Sequence, residues 1–198
     1  PAMPTPRDLD LLFELGSLRN MPRGWRQHLG VDCASILEHT MRVAFLALII
    51  ARREGQGDEA KILKMALVHD LTETRVSDLS YVQKVYVTAD EAKAANEMLA
   101  GTSVADIADV IATYERRETI EAKIVKDADN LDIDIELREV ENLGHLLPAK
   151  WRTLRRKVRD EKLYTQTAKQ LWDEIQTADP DAWHILTNKW LRIPSAGR

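Results

Sequence analysis

Helix breakers are scarce in this chain: eight glycines and seven prolines in 198 residues, with several of the prolines near the ends. Long helices can therefore run uninterrupted, and apolar residues recur along the chain at helical rather than alternating spacing. The chain reads as all-α. Asp8 to Leu18 carries Leu9, Leu12, Phe13 and Leu15 near a period of 3.6, which predicts an amphipathic first helix. Ser35-Ile36-Leu37-Glu38 fits a capping box that opens a second helix, roughly Ile36 to Arg53. That helix is apolar almost all round from Val43 to Ala51, so it is expected at the centre, and Gly55 and Gly57 end it. Asp58 caps a third, on which Ile62, Ala66, His69 and Glu73 share one side. Tyr81 to Thr88 reads as an irregular loop beside the site rather than a strand. Further helices are expected over Asp90–Leu99, Val104–Arg116, Thr119–Glu141, Trp151–Ile175 and Asp181–Leu191.

Only five histidines are present, so each can be weighed alone. His69 and Asp70 adjoin at the end of an otherwise apolar helix, where burial is costly unless something satisfies both groups; a metal ion would. His39 lies one turn into the most apolar helix, and Asp129 lies in a third helical pattern with Asp127, Asp132 and Asp134 as competitors. Asp132 reads as a solvated carboxylate. Three helices can thus converge on one point. Two imidazoles and two carboxylates suit Mn, Co, Fe, Ni or Zn as a divalent ion. On an ideal helix Asp70 points about 100° away from His69, so joint ligation requires a helix end or a local distortion there.

Glu38-His39, then Val68-His69-Asp70-Leu71-Thr72-Glu73, then Lys126-Asp127-Ala128-Asp129 resemble the HD-domain metal-dependent phosphohydrolases. Within them the resemblance is closest to the 5′-deoxynucleotidase type, through Gly24-Trp25 and Ser77-Asp78-Leu79. The resemblance implies an HD-domain helical bundle with a motif core at 18–140, and the helix pattern alone adds a C-terminal extension at 150–191, giving a single domain over residues 8–191. It implies one divalent transition metal held by His39, His69, Asp70 and Asp129. It also implies Glu73 as the catalytic proton carrier, with Arg23, Trp25 and Asp78 on the substrate side. Arg23 is preferred over Arg26 for the phosphate. In one branch an arginine directly precedes the tryptophan, where this chain has Gly24, and the branch's Thr-Pro is replaced by Ser80-Tyr81.

The expected reaction is hydrolysis of a nucleoside 5′-monophosphate. Alternatives are a helical binding module stapled by a metal, or a phosphodiesterase of another nucleotide. No histidine falls between Asp70 and Asp129, which counts against branches that hold a second metal with extra histidines. A net charge of −4 argues against nucleic-acid polymers. The longest apolar run, Val43 to Ala51, is too short to span a membrane. Cys33 is the single cysteine and no apolar signal core opens the chain, so a cytoplasmic address is expected. The C-terminal tryptophans Trp151, Trp172, Trp183 and Trp190 are expected in core packing or a subunit contact, consistent with a homodimer.

Overall fold

A computed structural model describes residues 7–190. Among them every regular element is a helix, and one isolated bridge, Pro22 to Ser35, joins the neck of a loop. The capping box forms as expected: the Ser35 side chain accepts from the Glu38 amide, and Glu38 accepts from the Ser35 amide. Helix α3 (Ile36–Glu54) follows α1 (Asp8–Ser17) and the short α2 (Arg26–Leu29), and ends at Gly55 in the left-handed conformation that glycine adopts without strain. Asp58 caps α4 (Glu59–Val68), and α5 (Glu73–Val76) follows a brief turn. Then come α6 (Glu91–Leu99), α7 (Ile107–Arg116) and the long α8 (Ile120–Asn142), capped by Thr119.

The core lies where α3, α4 and α8 meet α10 (Gln166–Thr177), around Val43, Ala47, Ile50, Ile62, Leu131 and Trp172. Each large side chain buried there contributes about 1.5–3 kcal/mol relative to exposure. Helix α8 is buried on nearly all sides although it carries Asp127, Asp129, Asp132, Asp134 and Glu136. A buried carboxylate is tolerated only where a partner meets it. Each of these five has one: a helix terminus, Lys126, His39, Arg155 and the Trp25 indole respectively.

Four expectations are corrected. Most of the expected apolar stripe of α1 faces outward: Leu9, Leu12 and Phe13 are exposed, Phe13 at 78%, while Leu15 of that stripe packs inward with Leu11, and Leu18 is buried just beyond the helix. Helix α3 is not enclosed all round, because Met41, Phe45 and Ile49 stand exposed beside its buried face. The stretch Trp151–Ile175 is two helices, α9 (Leu147–Lys162) and α10, since Asp127 draws the chain into a turn by accepting from the Tyr164 and Thr165 amides and the Thr165 hydroxyl. The last helix, α11, covers only Ala182–Ile185, and Leu191 lies outside the described residues. Trp172 is core, whereas Trp183 and Trp190 are exposed. No described helix is long and apolar enough to cross a membrane.

Candidate metal centre and adjoining cleft

His39 sits on the first turn of α3, fully buried. Helix α4 stops at Val68, so His69 and Asp70 occupy the turn that follows. That termination removes the 100° divergence expected on a continuous helix. Asp129 approaches from α8. His39, His69, Asp70 and Asp129 each present one ligand atom, and these atoms all lie within 4.8 Å of one another. His39 Nε2 is 3.3 Å from Asp70 Oδ2 and 3.3 Å from Asp129 Oδ1, and His69 Nε2 is 3.2 Å from Asp70 Oδ2.

The tautomers follow from the outer partners. His69 Nδ1 lies 2.8 Å from the Ala66 carbonyl, which can only accept, so Nδ1 carries the proton. His39 Nδ1 lies 2.6 Å from Asp132 Oδ2 and likewise donates. With both imidazoles neutral, the two Nε2 lone pairs face each other, 3.3 Å apart, between two carboxylates. A cation at the centre would satisfy all four groups, and these residues could hold one. Burial and the Arg23 charge oppose protonation of His39, but hydrogen bonds to Asp129, Asp132 and Asp70 outweigh them and hold its pKa well above the usual histidine value. Burial likewise opposes ionisation of Asp70, yet His69 and His39 keep it well below the ordinary carboxylate range. Asp129 is held low in the same manner, with Lys126 the largest opposing charge to burial. The separations suit an ion whose bonds are about 2.1 Å, since neighbouring ligands then lie roughly 3.0–3.4 Å apart. The donor set fits a divalent metal.

Asp132 corrects the sequence reading. It is fully buried, and it binds Arg42 as well as His39. Its spacing of three from Asp129 was the available signal, together with Arg42 three residues after His39, one helical face in each case. Tyr114 sets its ring edge-on to His69, with centroids 5.6 Å apart.

The loop between α1 and α3 brings Arg23 and Trp25 to the same place. Backbone bonds from Arg23 to Ala34 and from Ile36 to Met21 close its neck. Glu136 anchors it from α8, accepting from the Trp25 indole at 2.8 Å and the Ala34 amide at 2.6 Å. Arg23 is buried, 3.1 Å from both Asp70 Oδ2 and Asp78 Oδ2, with its guanidinium 4.5 Å above the Trp25 ring. Arg26 instead pairs with exposed Asp32. Gly24 has a physical reason: a Cβ there would meet the Asp78 carbonyl at 2.4 Å, so only glycine lets this loop lie against residues 78–80. Asp78 Oδ2 accepts from the Gly24 amide at 2.9 Å and forms an ion pair with Arg23.

Glu73 opens α5 rather than extending α4, and its Oε2 is buried with no hydrogen-bond partner. Burial first, then the charges of Asp70 and Asp78, push its carboxyl up to about 10. Beside these groups runs a cleft of about 260 Å³, with Arg23, Asp78, Lys126 and Asp129 at one end and Trp25, Ile133, Trp151 and Leu154 along its apolar walls. Tyr81 and Val82 of the irregular loop also line it. His145 serves structure, bonding the Leu29 carbonyl at 2.8 Å, and His184 is exposed. The Cys33 thiol is raised to about 11, first by burial, which leaves it no nucleophile at neutral pH.

A family model described as "HD domain" matches residues 15–178. The chain belongs to the HD-domain family. Among relatives of this HD-domain protein, a Dictyostelium discoideum protein named 5′-deoxynucleotidase HDDC2 is 32% identical over 149 residues, covering 68% of this chain and 78% of its own. The human protein of that name is 26% identical, covering 69% of this chain and 70% of its own. A solved structure of a conserved hypothetical protein from Pyrococcus furiosus superposes with a TM-score of 0.73 at 27% identity, spanning 86% of this chain and all of that one.

Proposed function

We propose that this HD-domain protein is a metal-dependent phosphohydrolase that cleaves nucleoside 5′-monophosphates, in keeping with the names of its relatives. One observation carries the reading: two imidazole Nε2 atoms and two carboxylates face a common point, with both Nδ1 protons committed elsewhere, beside a cleft of small-molecule size. His39, His69, Asp70 and Asp129 hold one divalent transition metal, Mn, Co, Fe, Ni or Zn. When bound, the ion supplies Lewis-acid polarisation of a phosphoryl oxygen and lowers the pKa of water.

The protein's own groups supply the rest. Arg23 and Lys126, both cationic and both lining the cleft, offset the charge of a single phosphate. Asp78 holds Arg23 in place and, with Trp25, faces the sugar. Burial and the charges of Asp70 and Asp78 raise the Glu73 carboxyl, and a divalent ion held by Asp70 would offset that charge, so that the ionised Glu73 would take the proton that the attacking water loses as its oxygen bonds to phosphorus. The phosphorus–oxygen bond to the nucleoside then breaks, and that proton passes to the departing alcohol oxygen. A cytoplasmic address belongs to this reading, and the single unpaired thiol supports it because a reducing compartment would keep it reduced.

We also propose a homodimer. Leu12 and Phe13 of α1, and Met41 and Phe45 of α3, are large apolar side chains left exposed, and a self-complementary two-fold contact is the commonest way to cover such surface.

The test is hydrolysis by the metal-reconstituted protein of matched nucleoside mono-, di- and triphosphates and cyclic nucleotides. The monophosphate is expected to show the highest kcat/KM, and Glu73→Gln to retain metal while losing about 10²–10⁴ in kcat. A preference for cyclic or triphosphate substrates, or near-normal turnover by the glutamine variant, would refute the respective assignment.

A further inference from the structure

The cleft changes character along its length. Its inner end is charged, with Arg23, Asp78, Lys126 and Asp129. Its outer end is aromatic and aliphatic, and there the dominant side chains come from α9, in the part of the chain where no chemistry-bearing pattern is visible in the sequence. Trp151 and Leu154 line that end, with Leu154 46% exposed, opposite Val82 and Tyr81 of the loop after α5. His28 stands edge-on to Trp151, with ring centroids 5.9 Å apart and planes at 74°, which fixes the indole from one side. Trp25 cannot serve equally well as a stacking platform, because the Arg23 guanidinium already lies over its ring at 4.5 Å.

Two of the polar groups that line the cleft, Arg155 and the Asn130 amide, are committed to the fold, while His28, Ser80 and Lys84 line it as well. Arg155 makes two bonds to Asp134, one to the Asn130 carbonyl and one to the Tyr81 hydroxyl. The Asn130 amide donates to the Lys126 carbonyl. A ligand reaching from the charged groups along the cleft therefore meets the aromatic and aliphatic surface of Trp151, Leu154 and Val82.

We propose that Trp151 of α9 is the base-binding platform of this site, holding the nucleobase by stacking with Leu154 and Val82 as flanking walls, and selecting for ring area rather than base identity. This rests on the monophosphatase reading above. Stacking a base on an aromatic side chain is sequence-tolerant because every base has a π-face, and removing the aromatic ring costs about 5- to 150-fold in affinity. Purine 5′-monophosphates are accordingly expected to bind more tightly than pyrimidine ones, with both accepted.

The experiment is calorimetric binding of deoxyadenosine 5′-monophosphate, deoxycytidine 5′-monophosphate and deoxyribose 5-phosphate to wild type, Trp151→Ala and Trp151→Phe, with hydrolysis of the same compounds followed in parallel. The quantity read is the ratio of nucleotide to sugar-phosphate affinity, which isolates the base. In wild type it should exceed about 5-fold, be larger for the purine, collapse toward one in Trp151→Ala and return largely in Trp151→Phe. A wild-type ratio near one, or a ratio that survives Trp151→Ala, overturns the platform even if all three compounds are hydrolysed. Absence of hydrolysis of any of them strikes instead at the monophosphatase reading, and the binding ratios still decide for or against Trp151.

Discussion

Asp132 shows how much one outer carboxylate governs. By accepting from His39 Nδ1 it selects the tautomer whose Nε2 lone pair points to the cluster, and Arg42 and Glu139 continue the chain of charges outward. Asp132→Asn is expected to weaken metal binding about 10- to 100-fold while His39 itself is unchanged, since partners of ligating histidines carry effects of that size. Competition between metal and a chelator, followed by elemental content, measures it; equal affinity in the two proteins excludes the role. The proton on His39 gives a second expectation. Its pKa is raised above the usual value while those of Asp70 and Asp129 are depressed, so in weakly acidic solution the incoming ion must displace a proton from His39 and none from the carboxylates. Affinity should fall as pH drops below the raised His39 value, and calorimetry in buffers of different ionisation enthalpy should register net proton release. The convergence of His39, His69, Asp70 and Asp129 was legible because their order and spacing are distinctive. Asp132 was not, because a carboxylate among four on one helix looks the same in sequence whether it meets water or a buried imidazole.

Helix ends explain both what the sequence reveals of the elements and what it hides. Ser35, Asp58 and Thr119 each cap a helix where local pattern places one, because an N-cap bonds residues two or three positions away. The break between α9 and α10 is different. It depends on Asp127, 37 and 38 residues earlier, reaching the Tyr164 and Thr165 amides at 2.8 Å. No local pattern signals it, so the two helices read as one. Asp127→Ala leaves those buried donors unmet and is expected to destabilise the fold by about 2–4 kcal/mol, read as a lower urea midpoint with an unchanged slope. An unshifted midpoint rules out this clasp as the cause of the break. The outward turn of α1 was hidden for a related reason: periodicity identifies an apolar face but not what the face meets.

On the scale of the whole molecule, the exposed side chains of α1 and α3 bear on assembly. Sedimentation should show a dimer, and Phe13→Glu with Phe45→Glu should shift it toward monomer; a wild-type monomer at micromolar concentration refutes the proposal. Metal removal acts on the molecule as a unit too, since α3, the turn after α4 and α8 are tied through one cluster. Chelation is expected to lower Tm, with recovery that depends on the concentration of added ion, as mass action requires. The all-helical architecture was legible from the shortage of breakers and from helical spacing. The cleft was not, because its walls come from segments as distant as Trp25, Val82 and Trp151.

Helix α8 also sets a rule about chain length. From Asp127 to Glu136 its acidic side chains reach different partners around the helix, each at its own angle and height. Inserting a single residue after Asp129 would turn everything downstream by about 100° and lift it by about 1.5 Å. Asp132, Asp134 and Glu136 would then miss His39, Arg155 and the Trp25 loop together. Point changes along α8 can be absorbed one at a time, whereas an insertion or deletion there disconnects the cluster, the cleft wall and the loop in a single event.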